Sequence, residues 1–153
     1  VDTLTPAQRS ERMSRIRSTD TKPEVALRRA LHRLGFRFRL HGRRLPGKPD
    51  IVLTKYRTVI FVHGCFWHRH EGCKVATTPK SNTEFWIEKF SRNVARDAAA
   101  LDQLHAAQWR VIIAWECDLG SVAKVLRKRL KLAHKFDLIS TNMMLASEGV
   151  THS

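Results

Sequence analysis

A single α/β domain with a mixed central sheet flanked by helices is the fold class this sequence predicts, and three features predict it. Two short β-branched runs, IVLT at 51–54 and TVIFVH at 58–63, follow each other across a polar KYR turn and read as paired central strands. A long amphipathic stretch at 83–107 leads into a third apolar run, WRVIIAWE at 109–116. A helical crossover of that length is what parallel pairing requires, so the sheet is expected to be mixed. With 153 residues, the chain can bury one core but not two comfortable ones.

Upstream of the strands, Thr5-Pro6 supplies a cap and a first-turn proline before AQRSERMSRIR, so a short basic helix opens the fold. A second helix is expected from Thr21 to Leu34, where Val25, Leu27, Leu31 and Leu34 recur at near-helical spacing. Glu24 sits in its first turn and Gly35 supplies its stop. FRFRLH at 36–41 alternates apolar and basic residues as a half-exposed strand does, and GRRLPGKP after it is a turn-rich loop. Val122 to Ala133 reads as a basic helix carrying Lys124, Arg127, Lys128, Arg129 and Lys131, after which DLISTNMMLASEGVTHS shows no periodicity and is expected to be a loosely ordered tail.

Charge narrows the class of partner. With 28 Lys+Arg against 14 Asp+Glu the formal net charge is +14, which favours a polyanion: DNA, RNA or an anionic membrane. Residues 1–48 alone hold 13 Lys+Arg and 4 Asp+Glu, a net +9. The bland alternative is a basic surface kept for solubility. No apolar run approaches a membrane span, and VDTLTPAQRSER lacks the features of a signal peptide, so a cytoplasmic protein with no membrane partner is expected. An odd cysteine count of 3 then argues for free, catalytic or metal-bound thiols rather than a disulfide framework.

The chemistry concentrates in His63-Gly-Cys-Phe-Trp-His-Arg-His-Glu-Gly-Cys73, which puts five candidate metal ligands, His63, Cys65, His68, His70 and Cys73, immediately after a strand. Cys117, at the end of a neighbouring strand, can add a sixth. Tetrahedral zinc takes four, and three thiolates with one histidine complete it; Cys65, His70, Cys73 and Cys117 form one such set, with His68 the competing histidine. All four positions would then be protein atoms, so the zinc would be structural. Buried cysteines beside solvent-facing histidines are the plain alternative. A second feature is Asp50, which follows Pro49 at the mouth of the IVLT strand. A carboxylate there can hold a hard cation through oxygen, although an isolated Pro-Asp is more often only a turn.

LPGKPDIVL, TVIFVHGCFWHRH, TEFWIEKFSRNVARD and WRVIIAWEC together resemble, in order and spacing, the very-short-patch repair (Vsr) mismatch endonucleases over roughly residues 8–120. The resemblance implies a restriction-endonuclease-like fold with a degraded PD-(D/E)xK core. It implies a basic helical arm at 1–20, a catalytic domain at 21–136 and a tail at 137–153. It further implies that Asp50 binds catalytic Mg²⁺ with the backbone carbonyl of Val62, that His68 activates the attacking water, that His63 supports the phosphate and hydrated metal, and that Glu24 orients metal-bound water. Cys65, His70, Cys73 and Cys117 would hold structural Zn²⁺. The sequence departs from the pattern at Val62, where threonine is familiar, and at Glu71-Gly72, a longer link between His70 and Cys73.

The implied reaction is a Mg²⁺-dependent nick 5′ to the thymine of a T:G mismatch, such as deamination of 5-methylcytosine leaves. The implied enzyme is a bacterial, nucleoid-associated monomer linked to a cytosine-5 DNA methyltransferase and to mismatch-repair proteins. Phe66 and Trp67 are adjacent, so at least one is expected to be exposed, and aromatic side chains can wedge between weakly paired bases. The resemblance implies a wedge of Phe66, Trp67 and Trp86, although Trp86 can equally share a core helix face with Phe90, Val94, Leu101 and Leu104. Rival readings are a restriction-type or branched-DNA nuclease of the same fold and a zinc-stapled DNA-binding module without catalysis.

Overall fold

The computed structural model describes residues 4–120, 122, 124 and 126–128. Its first helix, α1 (Pro6–Ser14), starts where the Thr5 hydroxyl accepts the Gln8 N–H at 3.2 Å and the Gln8 side chain accepts the Thr5 N–H at 2.9 Å, a reciprocal cap. None of its residues is buried. α2 (Lys22–Arg33) buries Leu27 and Leu31 on one face. It ends as the Gly35 stop requires: Gly35 adopts φ +85, its N–H reaches the His32 carbonyl and the Phe36 N–H reaches the Leu31 carbonyl, closing a Schellman turn that carries Phe36 into the core.

The strand expected over 36–41 is shorter than its alternation suggests. Phe36 is taken by the helix stop and His41 turns left-handed (φ 52), which leaves β1 (Arg39–Leu40) with two residues. The chain still runs beside its neighbour, because His41 and Gly42 donate to the carbonyls of Asp50 and Pro49. β2 (Ile51–Leu53) pairs antiparallel with β3 (Thr58–His63) through Ile51↔Ile60, Val52↔Val59 and Leu53↔Thr58. The link is a 3-10 turn over Thr54–Tyr56 and a left-handed Arg57 (φ 45), whose guanidinium lies 4.8 Å above the Trp109 ring and donates to the Ala107 carbonyl. α3 (Thr83–Ala106) crosses over to β4 (Arg110–Trp115), which pairs parallel with β3 along its whole length, from Thr58↔Arg110 to His63↔Trp115.

The sheet order is β1-β2-β3-β4, mixed as expected. Strand alternation divides the apolar side chains between its two faces. Ile51, Leu53 and Ile60 join Leu27, Leu31, Phe36 and Leu126 on the α2 side, while Val52, Val59 and Phe61 meet Leu104 of α3 on the other. Residues 119, 120, 122, 124 and 126–128 are helical, consistent with the basic helix expected from 122. Arg129 and Lys131 of that expectation, and the tail at 137–153, lie outside the described residues. Among the described residues, no helix is long and apolar enough to cross a membrane.

Candidate active site

Because β2 runs antiparallel to β3 and β3 parallel to β4, the start of β2 lies beside the ends of the other two. Asp50, Val62, His63 and the residues after Trp115 therefore converge at one end of the sheet. The Asp50 carboxylate accepts the Val62 N–H at 2.7 Å. Burial pushes its pKa up to about 6, and the negative charge of Glu24 pushes the same way, while the Val62 N–H, His41 and Arg28 pull it down. Glu24 is 3% exposed. Its carboxylate accepts from the Asp20 N–H (2.9 Å), the Thr21 hydroxyl (2.9 Å) and Arg28 (3.1 Å). A buried carboxylate at a strand mouth, its charge opposed by a second carboxylate nearby, is an oxygen donor that a hard cation would stabilise.

Beyond Asp50, the buried His63 ring stacks on His68, with centroids 3.8 Å apart and planes 7° from parallel. His68 Nδ1 lies 2.7 Å from a carboxylate oxygen of Asp97 on α3. With Nδ1–H donated to that carboxylate, Nε2 keeps its lone pair. Burial lowers the His63 pKa to about 4, and nearby His68 adds to the effect against the opposing charge of Asp97, so His63 is neutral at physiological pH. Sequence reasoning missed Asp97. The available signal was Asn93 and Asp97, short polar residues four apart on α3 that both reach the 66–68 loop, Asn93 through the Trp67 carbonyl at 3.2 Å.

The same loop turns back to form a second group. Cys65, His70, Cys73 and Cys117 bring their donor atoms within 4.8 Å of one another. His70 Nδ1 lies 3.5 Å from the Cys65 sulfur and 3.3 Å from that of Cys117, whereas His68 belongs with His63 and Asp97. Three sulfurs and one imidazole nitrogen at this separation fit a tetrahedral zinc ion. Cys117, just past β4, joins from the neighbouring strand, and Glu116 accepts the Cys65 N–H at 2.8 Å. The two-residue link after His70 closes because Gly72 adopts φ +71 and the Cys73 N–H returns to the His70 carbonyl.

The aromatic residues collect between this loop and α3. Phe66 lies 5.0 Å from Trp67, 5.7 Å from Trp86 and 5.2 Å from Phe90, and the Lys89 ammonium is 5.2 Å from the Trp67 ring and 5.6 Å from that of Trp86. Two expectations are corrected here. Phe66 and Trp67 are both half-buried rather than one being exposed, because α3 presents Trp86 to both and Phe90 to Phe66. Val94 is 47% exposed and not part of a core face with Trp86 and Phe90. Arg69 holds the following segment, with its guanidinium 4.2 Å from the Phe90 ring and donating to the carbonyls of Ala76 and Thr77.

The sequence is similar to that of DNA-nicking enzymes. A family profile described as DNA mismatch endonuclease Vsr matches residues 1–74. A type II nicking enzyme, V.XorIIP of Xanthomonas oryzae pv. oryzae, is 46% identical over 85% of this chain and 94% of its own length. The DNA mismatch endonuclease Vsr of Escherichia coli is 44% identical over 81% of this chain and 79% of its own. The type II nicking enzyme V.NaeI of Lentzea aerocolonigenes is 39% identical over 86% and 82% respectively.

Proposed function

This chain belongs to the Vsr family of DNA mismatch endonucleases and is a DNA-nicking endonuclease, and from that premise we propose that it cuts one strand of duplex DNA on the 5′ side of the thymine in a T:G mismatch, with Mg²⁺ as the catalytic cation. The observation that carries this reading is the convergence, at one end of the sheet, of the Asp50 carboxylate held by the Val62 N–H with the His63, His68 and Asp97 group. Asp50 and the Val62 carbonyl hold the cation, which supplies Lewis-acid stabilisation of charge at the scissile phosphate and the leaving oxygen. Glu24 orients water at the same mouth.

His68 is the general base. Its Nε2 takes the proton of the attacking water while Asp97, on Nδ1, holds the ring and stabilises the imidazolium that forms. His63, kept neutral by burial, donates a hydrogen bond to a phosphate oxygen rather than meeting it as a cation. The Cys65, His70, Cys73 and Cys117 set holds zinc with no position left for substrate, so zinc fixes the loop and takes no part in hydrolysis.

Phe66, Trp67 and Trp86 form the wedge that enters the base stack, which yields most readily where pairing is weak. Their half-buried packing supports a preformed platform. The basic arm at 1–20 and the helix from 122 grip phosphates on either side of the catalytic domain at 21–136, giving affinity without reading sequence. The fold is the restriction-endonuclease type. Because a T:G mismatch has no two-fold symmetry, the enzyme acts as a monomer, on lesions left at the sites of a cytosine-5 methyltransferase and upstream of mismatch-repair proteins.

Nicking of strand-labelled duplexes tests the reading, with T:G mismatches in varied contexts beside fully paired controls, in Mg²⁺ and then in EDTA. A Mg²⁺-dependent nick 5′ to the mismatched thymine alone is expected. Equal cutting of paired DNA would overturn the mismatch specificity in favour of a restriction-type nuclease, and equal activity in EDTA would overturn the role of the cation.

A further inference from the structure

The last residue of β4 joins the two groups described above. Trp115 stacks face to face on His70 of the thiol cluster, with centroids 4.2 Å apart and planes 8° from parallel. It also meets His63 edge-on at 5.3 Å and 71°, a contact set by the pairing of His63 with Trp115 at the ends of the parallel strands. His63 in turn stacks on His68 at 3.8 Å, and His68 bonds Asp97. One continuous line of rings thus runs from a candidate zinc ligand to the candidate base.

His63 depends on that line more than its neighbours do. His68 is fixed by the Asp97 carboxylate, and the His70 ring nitrogen is fixed by two sulfurs. Among the described residues no hydrogen bond orients the His63 ring. Its surroundings are other rings: His68 on one face, Trp115 at 5.3 Å and Phe61 at 5.8 Å. Offset and edge-to-face contacts constrain a ring in tilt as well as position. The next two residues of the strand end also grip the loop, Glu116 through the Cys65 N–H and Cys117 through the thiol cluster, so the indole is anchored to the same rigid body that its far side orients.

We propose that Trp115 is a positioning residue for the nicking reaction, holding His63, and through it His68, in register with the Cys65–His70–Cys73–Cys117 knot. The inference rests on the roles given above to His63 and His68. The knot then does more than hold a loop closed, because its geometry is passed through the indole to the reacting end of the sheet. A misplacement of about 1 Å in such a group costs up to ~10²-fold in rate, and where it touches only the transition state it leaves substrate binding intact.

The test uses the full-length, zinc-loaded chain with a T:G duplex under single-turnover conditions, and compares Trp115→Leu, Trp115→Met and Trp115→Phe with wild type. Leu and Met keep apolar volume without a ring, and Phe keeps a ring for both contacts. Both ringless variants should lose ~10-fold or more in the nicking rate at saturating enzyme while the DNA Kd stays within about twofold and zinc stays at one per chain. Phe should recover most of the rate. In NMR spectra, the side-chain ring signals of both His63 and His70 should move in the ringless variants as the indole ring current is lost.

A wild-type rate in Trp115→Leu or Trp115→Met overturns the proposal. So does a rate loss that tracks loss of zinc or of thermal stability, which would leave Trp115 as support for the knot alone. If Leu misfolds, the Met variant carries the same reading. His68→Ala, run alongside, separates the two levels: wild-type activity there sinks the assignment of the base itself, whereas an inactive His68→Ala beside a fully active Trp115→Leu sinks only the coupling.

Discussion

The thiol cluster and the carboxylate–histidine group share the loop that follows β3, yet they are built on opposite terms. The thiol cluster is closed: three sulfurs and an imidazole nitrogen face one another within 4.8 Å, and the backbone around them is hydrogen-bonded at Cys65, His70 and Cys73. The candidate reactive group is open instead. Asp50 is buried with its pKa pushed up to about 6 beside a second carboxylate, and His63 is buried with its pKa down to about 4 and its ring set among other rings. The closed half ties the loop to the strand end after β4, and the open half holds a carboxylate and a histidine whose charged forms burial disfavours.

That contrast is broken or sharpened most strongly by Asp50→Ala. Removing the only side-chain ligand assigned to the cation should lower the Mg²⁺-dependent nicking rate by ~10³-fold or more, the equivalent of several kcal/mol of charge stabilisation, with DNA affinity retained. Robust nicking by this variant would show that the open half lies elsewhere. Cys73→Ser should act on the closed half alone, losing the bound zinc and several kcal/mol of stability. At ~2–4 °C per kcal/mol for a chain of this size, that is a Tm lower by roughly 10 °C. A zinc-free Cys73→Ser protein that melts with wild type would refute the structural role.

Asp97→Asn comes next. An amide can no longer stabilise an imidazolium on His68, and by comparison with other outer partners of functional histidines the rate should fall ~10–100-fold with little change in Tm. A variant as fast as wild type would release His68 from the role of base.

The smallest effect has the opposite sign. Asp50→Asn keeps an oxygen to accept the Val62 N–H but removes the buried charge. Folded Asp50 titrates at about 6 and an ordinary carboxylate at 3.8, so between those values the native state holds a proton the unfolded state has released, and wild-type stability falls as pH rises through that window. In Mg²⁺-free buffer the variant should therefore match wild type near pH 4 and exceed it at pH 8 by on the order of 1–2 kcal/mol, a gain bounded by ~1.4 kcal/mol per pH unit of the window. Denaturant melts at the two pH values check it, and a gain that is larger at pH 4 would reverse the electrostatic account of the site.

How legible each part was in the sequence follows from the range of the interactions that fix it. β2, β3, α3 and β4 were readable because their apolar periodicity is local, and their observed ends fall within about a residue of the expected ones. The Gly35 stop was readable too, but its consequence for Phe36 was not, and β1 shrank for that reason. The metal-ligand loop stood out through sheer density of Cys and His over eleven residues. The choice between His68 and His70 depended on Asp97, twenty-nine residues further on α3, which no spacing rule connects to a loop. Phe66 and Trp67 were misjudged for the same reason, since the surface that half-covers them is supplied by α3.

The six-pair parallel seam between β3 and β4 also bears on the order of events during folding. Cys65, His70 and Cys73 are neighbours in the chain, but Cys117 arrives only when a fifty-residue loop containing the whole of α3 has closed, the kind of non-local pairing that forms late. A nascent chain therefore offers the ion an incomplete nest until its longest closure is made, and metal capture and the final register of His63 against Trp115 are acquired in one step. Metal uptake at this cluster would thus report on the maturity of the whole sheet, and a chain stalled before that closure would lack both the fourth donor and the register of His63 against Trp115.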